Sequence, residues 1–372
     1  MNIPFKPFIA LLMLSVFLSG CGLVNVQKRS AETTQPSAGI YKTFDRGDTW
    51  NQIGELYAVG GNRQMIQYGD ITFMKFDDSD PNTLYFGTNN GLFYTYSRGA
   101  GWFKTLENKG VVNDITIDNQ NRCVMYAAVH NQVFKTTDCA RSWQLIHFSS
   151  LARQYYTAIR VSALNNSRIF LGTSDGTLLE STDAGFSWGV LSFLNTPITR
   201  FLDHPNIPGD FFVVTPQYGI QRTSDGTTFT SLLELPVHNA SGEPLRDSKD
   251  RIVQLQSFSG SKTYFDLKFD TSQNDGLIYA NAYAIFRLIN GEYWQEIEIL
   301  NKPKQARIYS IAIDGTDGKT VYFGTDGAFY YSANGGVDWT VKKLPSSGIP
   351  KHILLAQDNF QELYIAFTQR AQ

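Results

Sequence analysis

Histidine, cysteine and net charge are all scarce in this chain of 372 residues, and each scarcity narrows the reading. The five histidines, His130, His147, His204, His238 and His352, fall in different parts of the sequence with no ligand spacing, so no metal site is expected. Lys and Arg number 32 against 34 Asp and Glu. The resulting net charge of −2 offers no bulk basic surface and excludes nucleic acid as the expected partner. No glycine loop of the phosphate-cradling kind is present. Gly60-Gly61 lacks the Lys-Ser/Thr that would give it meaning, and no cofactor is expected. Helical periodicity is nearly absent, and only residues 149–156 suggest one short helix. The uncharged apolar run at residues 8–18 is too short for a transmembrane helix, which needs about 20 apolar residues.

What the sequence does hold is Tyr, Phe, Gly and Thr, a composition that favours β structure. It also holds a repeat. The clearest copy is Ser181-Thr182-Asp183-Ala184-Gly185-Phe186-Ser187-Trp188, and Thr43 to Trp50 with Asp45 is a second full copy. Eroded copies follow. Thr136 to Trp143 keeps Asp138 but has Ala140 for Gly, and Ser332 to Trp339 keeps Gly336 but has Asn334 for Asp. Thr95 to Trp102 keeps only Thr95, Gly99 and Trp102. Asp225 opens a copy that reaches Phe229 one residue short, and residues 291–294 keep only the Gly-x-x-Trp end. The terminal aromatics Trp50, Trp102, Trp143, Trp188, Phe229, Trp294 and Trp339 are 52, 41, 45, 41, 65 and 45 residues apart. Seven copies at near-even spacing define a structural period. The motif, S/T-x-D-x-G-x-S/T-W, resembles the Asp-box (BNR-type) repeat of sialidase and sortilin-type families.

Ahead of each copy lie two short strands joined by a turn, as at residues 83–88 with 91–95, 168–173 with 176–180 and 320–325 with 327–331. Before these lies an inner strand, as at 71–77 or 308–314. Each period is therefore four strands, and seven periods predict an all-β, seven-bladed β-propeller of four-stranded blades with Asp-box turns. The last strands, 352–358 and 362–367, have no motif after them, and the first motif has no inner strands before it. The two chain ends are expected to close one blade together. Within the motif, Asp bonds backbone two residues on, Gly tolerates positive φ, and Trp fills the wedge between blades. Its Asp is thus a folding residue and not a catalytic candidate.

The N-terminus carries Lys6, the apolar run and then Leu18-Ser19-Gly20-Cys21, which resembles the lipobox of bacterial lipoproteins. The expected organisation is a signal peptide at 1–20, a polar tether at 21–38 starting from lipidated Cys21, and the propeller at 39–372. The membrane, through this lipid anchor, is one expected partner, in the cell envelope facing the periplasm or exterior. Two or three acyl chains at about 0.8 kcal/mol per buried CH₂ would make the anchoring stable.

Two function classes fit such a chain. A carbohydrate-active hydrolase of sialidase or xyloglucanase type needs two carboxylates at a set separation. Asp114 and Asp266, on inner strands, are the channel candidates, and Arg160 and Arg200 are their expected ion-pair partners. No Arg-Ile-Pro motif of the sialidases precedes the first repeat, and one propeller is present where xyloglucanases use two. The whole-chain pattern of lipobox, blade count and motifs is instead similar to the photosystem II stability/assembly factor family and to sortilin-type ectodomains. That resemblance implies a non-catalytic binding or assembly scaffold with a protein, or a glycan, as partner.

A partner is expected on the face opposite the motif turns, where long loops gather Tyr and Arg. The candidates are Tyr57, Arg63, Tyr68, Arg153, Tyr155, Tyr156, Lys302, Lys304 and Arg307. The long interval before Trp294 places an insertion at 237–262, expected to project from that face and to contain a short hairpin. Finally, a hairpin centred near His130-Asn131 pairs positions summing to about 261, which sets Cys123 beside Cys139 and predicts a disulfide.

Overall fold

The computed structural model describes residues 38–57, 64–66, 70–262, 266–299 and 307–370. Each repeat period forms one antiparallel sheet in chain order from inner to outer strand. Blade 1 is Ile71–Asp77, Asp80–Thr88, Gly91–Thr95 and Phe103–Thr105, and blade 2 is Val112–Ile117, Met125–Val129, Gln132–Thr136 and Gln144–Phe148. Blade 3 is Tyr156–Val161, Ile169–Thr173, Thr177–Ser181 and Gly189–Phe193, and blade 4 is Arg200–Asp203, Phe211–Thr215, Gly219–Thr223 and Thr230–Ser231. Blade 5 is Asp266–Phe269, Leu277–Ala280, Ile285–Ile289 and Tyr293–Ile297, and blade 6 is Ile308–Ile313, Val321–Thr325, Phe329–Ser332 and Thr340–Lys342. Blade 7 takes Ile349–Leu355 and Leu363–Thr368 from the C-terminal end and Gly39–Thr43 and Asn51–Ile53 from the N-terminal end. The fold is a seven-bladed, all-β propeller whose last blade is closed by both ends of the described chain. Lys42 reinforces that closure by pairing with Glu362 at 2.8 Å, and Arg98 of blade 1 pairs with both Glu362 and Asp358.

The apolar core is divided into seven clusters, each lying between two neighbouring blades. This follows from strand geometry. Side chains alternate faces along a strand, so a blade flanked on both sides must be apolar on both. The second strands show it best: residues 125–129, 169–173, 211–215 and 321–325 are buried at every position. The motif aromatics follow one rule. Trp102 sits between blades 7 and 1, Trp143 between 1 and 2, Trp188 between 2 and 3, and Phe229 between 3 and 4. Trp294, Trp339 and Trp50 continue the series to the interface of blades 6 and 7. Each blade sends its aromatic into the wedge shared with the blade before it.

The motif turn that aims this ring is held by its own side chains. In blade 3, Ser181 Oγ accepts from Gly185 N at 2.9 Å, while Asp183 accepts from Ser187 N at 2.8 Å and Ser187 Oγ at 2.5 Å. Thr43, Asp45 and Thr49 repeat this arrangement in blade 7. Gly185 is required twice over: its φ is 93°, and a Cβ there would lie 2.5 Å from Ile146 of blade 2. Where the sequence erodes, the structure compensates. Asn334 Nδ2 donates to Asp338 at 2.8 Å, so the carboxylate has moved to the far end of the same bond. Asp225 reaches Thr228 N at 2.8 Å across a turn one residue shorter. Ala140, in place of Gly, is fully buried at a positive φ of 66°, next to Cys139, which is joined to Cys123 by a disulfide.

Two expectations are corrected. Residues 149–156 form no helix. Ser149 Oγ bonds Gln154 Oε1 at 2.6 Å, Arg153 takes a φ of 69°, and Tyr156 already begins the inner strand of blade 3. Such local side-chain bonds compete with a helical backbone. The insertion at 237–262 does not simply project. Val237–His238 pairs in parallel with Trp294 and Gln295, which adds a fifth strand to the outer edge of blade 5. Val237 and Leu255 are fully buried against Trp294, while residues 246–251 at the tip remain largely exposed. The edge that would otherwise be open is covered.

Candidate functional site

The inner strands of most neighbouring blades contact one another, so their side chains serve either the central channel or the next blade. A bulge at the start of the inner strand recurs in blades 1, 2, 3, 6 and 7. A bulge releases one residue from the ladder and re-aims it. The released Thr72, Asn113 and Thr157 each donate to a backbone carbonyl of the following blade: Val112 O at 2.5 Å, Tyr156 O at 2.7 Å and Ile198 O at 2.5 Å. Ser310, which stays in the ladder opposite Gly324, also donates to the following blade, to Pro350 O at 2.6 Å. These bonds tie the inner strands of blades 1, 2, 3 and 6 to the blade that follows.

Asp114 and Asp266 occupy equivalent places after this point. One oxygen of Asp114 meets Lys75 Nζ at 2.8 Å, and the other accepts from Ile159 N of blade 3 at 3.1 Å. Asp266 pairs with Lys268 at 2.9 Å and Arg200 at 3.3 Å, and accepts from Ile311 N of blade 6 at 3.1 Å. Burial opposes ionisation of Asp266, but Lys268 and Arg200 outweigh it, and the carboxyl lies below its ordinary range. The expected pairing of Asp266 with Arg200 is present. That of Asp114 with Arg160 is not. Ile159 packs toward blade 2, so the alternation of the strand turns Arg160 toward blade 4, where it pairs with Asp203 and stacks on Phe211. Arg160 therefore lies between blades and not in the channel. Lys75 and Lys268 were missed by sequence reasoning, although each is the one cation of its inner strand. His352 is a further channel neighbour: burial and then Lys351 push its imidazole down to about 3, so the ring is neutral.

The face candidates separate into groups. Tyr155 is 39 % exposed, with its ring tilted against His130 at 4.5 Å, and is tied by its N–H to Ser174 of the neighbouring turn. Arg153 lies in the same loop, and Ser174 Oγ bonds its carbonyl. Arg307 is exposed over the Tyr309 ring. Tyr156 is corrected: it is 1 % exposed, with its ring in the core between blades 2 and 3 beside His147. Tyr57 is also corrected. Its hydroxyl bonds Ser97 at 3.0 Å and its ring covers Gly101, so it packs on the motif turn of blade 1 and not on the opposite face. Its N–H bonds Trp102 O at 2.8 Å, because the backbone before it runs along the outer edge of that blade. Cys21, Arg63, Tyr68, Lys302 and Lys304 lie outside the described residues.

No family model matches the sequence, and no curated protein matches it either. Solved structures with the same fold are numerous. A structure of YCF48 bound to a D1 peptide is 17 % identical, with a TM-score of 0.58 over 82 % of this chain and 94 % of the other. YCF48 from Cyanidioschyzon merolae is 14 % identical, with a TM-score of 0.58 over 81 % and 96 %. A GH74 xyloglucanase from Xanthomonas campestris is 14 % identical, with a TM-score of 0.59 over 87 % of this chain and 52 % of the enzyme, so this chain spans about half of it. Likeness at these identities shows the shared fold.

Proposed function

We propose that this protein is a membrane-anchored, non-catalytic binding scaffold of the cell envelope, an Asp-box propeller that offers the face around Tyr155 and Arg307 to a protein partner. The observation that carries the reading is the use made of Asp114 and Asp266. Both carboxylates are engaged by lysine and by backbone N–H groups of the next blade, which is a structural role. A hydrolytic pair needs one carboxylate free to act as acid and one as base or nucleophile. The likeness to a single-propeller protein solved with a peptide, over nearly the whole of both chains, supports the same reading. The lipobox-like Leu18-Ser19-Gly20-Cys21 supports the anchor. A carbohydrate-active hydrolase is the second reading, favoured by the xyloglucanase likeness.

The test is affinity capture from detergent-solubilised membranes with the full chain, beside a Tyr155→Ala/Arg307→Ala variant. The expected result is a co-purifying polypeptide that the variant loses while keeping its melting temperature. Equal capture by both proteins, or turnover of xyloglucan by the wild type, would overturn the proposal. In the same cells, Cys21→Ser is expected to move the protein from the membrane to the soluble fraction.

A further inference from the structure

A cavity of about 200 Å³ opens on the motif face between blades 1 and 2, away from the channel and from the face proposed above. Its walls are Tyr85 and Tyr96, its floor includes Asp77, and Arg122 and Arg141 stand at its edge beside Cys139. Several of its polar atoms are already engaged. Tyr96 Oη donates to Cys139 O at 2.8 Å, Arg141 Nη1 to Asp138 O at 2.9 Å, and Arg122 Nη1 to Asp80 at 3.3 Å. Two buried groups are not fully used. Tyr85 is 2 % exposed, yet its hydroxyl has no hydrogen-bond partner among the described residues. Asp77 is 3 % exposed; Ser79 binds its Oδ1 through N and Oγ, while its Oδ2 has no partner among the described residues. Neither atom is sealed from solvent, so both address the cavity. Burial pushes the Tyr85 phenol up, which keeps it protonated and able to donate.

Because both atoms open onto the cavity, their hydrogen bonds are left to water or to a ligand that displaces it. The arrangement has two polarities. Guanidinium N–H groups at the edge of the cavity select a carboxylate, and with their planar donors they suit it better than a point charge would. The floor presents a carboxylate oxygen and a phenol, which a ligand hydroxyl can meet at once by donating to one and accepting from the other. The exposed Tyr96 ring suits the C–H face of a sugar ring. An acidic side chain alone would supply the carboxylate but nothing to donate to Asp77. We infer that this cavity binds an acidic monosaccharide unit, a hexuronate, with its carboxylate on Arg122 and Arg141 and a ring hydroxyl between Asp77 and Tyr85. The site is independent of the proposed protein-binding face, and its failure would leave that proposal standing.

Saturation-transfer NMR on the full chain tests this, with sodium galacturonate and sodium glucuronate as probes and galactose, sodium glutamate and inorganic phosphate as comparisons. The uronates are expected to receive saturation and to titrate, while the neutral sugar, glutamate and phosphate bind at least about tenfold more weakly. Arg122→Gln and Arg141→Gln, both at exposed positions, should each weaken uronate binding about tenfold. Tyr85→Phe should do so with no loss of ring packing. Melting curves confirm that each variant is folded. Absence of uronate binding, uronate binding that all three variants retain, or equal binding of glutamate or phosphate would overturn the inference.

Discussion

Replacing Asp266 by Asn separates a structural carboxylate from a catalytic one. The side chain is 5 % exposed and meets two cations and the N–H of Ile311 in the next blade. Asn preserves shape and one acceptor oxygen but removes the negative charge that faces Lys268 and Arg200. Removing one member of a buried pair costs about 3–5 kcal/mol, and the retained oxygen places this change near about 3 kcal/mol. A propeller of about 330 residues unfolding as one unit has an entropy near 0.7 kcal/mol/K, from about 2.1 cal/mol/K per residue, so the melting temperature should fall by about 4 °C. Asp114→Asn should cost less, because Asp114 is more exposed and pairs with one lysine. Differential scanning calorimetry of the two variants beside wild type measures this, with xyloglucan and sialoside hydrolysis assayed on the same preparations. A catalytic carboxylate behaves the opposite way: its removal is often neutral or stabilising and abolishes turnover. An unchanged or raised melting temperature for Asp266→Asn, or a wild-type hydrolysis that either variant loses, would refute the reasoning.

Three further outcomes are expected. Leu255→Ala, at a fully buried position under the insertion, should lower stability by about 2–5 kcal/mol in urea melts, showing that the base of this segment is core. Reduction of the Cys123–Cys139 bond, which spans 16 residues, should remove about 3 kcal/mol on the chain-entropy account, and intact-mass measurement should show no free thiol at either position before reductant is added. Stability should also fall in acid. Hydrogen bonds from Thr43, Ser142 and Ser187 hold Asp45, Asp138 and Asp183 at about 2, below the ordinary 3.8. A depressed carboxyl stabilises the fold above its unfolded value and loses that contribution as pH falls through the folded one. The melting temperature should therefore decline between about pH 4 and pH 2, and the decline should shrink in an Asp183→Asn variant.

The sequence was most legible where one residue type recurs at one place in every blade. The motif aromatics were enough to count the blades, because each ring fills the same wedge, and the unmatched strands at 352–358 and 362–367 were enough to predict closure by the two ends. Legibility failed where the answer depended on which way a side chain turns. Arg160 and Asp114 lie on neighbouring inner strands, and nothing in their spacing says that Arg160 turns to blade 4 while Ile159 turns to blade 2. The bulges at Thr72, Asn113 and Thr157 were invisible for the same reason, since a one-residue register shift leaves no compositional mark. Tyr156 was read as an exposed loop residue because its neighbour Tyr155 is one. The strand begins between them, and one step reverses the face.

These bulges bear on how the ring holds together. A propeller blade is a sheet with an inner edge and an outer edge, and apolar packing alone would let neighbouring blades slide. The hydroxyl and amide bonds from Thr72, Asn113, Thr157 and Ser310 fix each of those inner strands in register with the next. Asp114 and Asp266 add charge-assisted bonds one step further along. The inner edge is thus committed to the neighbouring blade rather than to a ligand. The outer edges of blades 1 and 5 are covered by strands of the same chain, residues 54–57 and Val237–His238. The proposed partners are accordingly placed at the turns: a protein around Tyr155 and Arg307 on one face, and a uronate in the cavity of Tyr85 and Arg122 on the other.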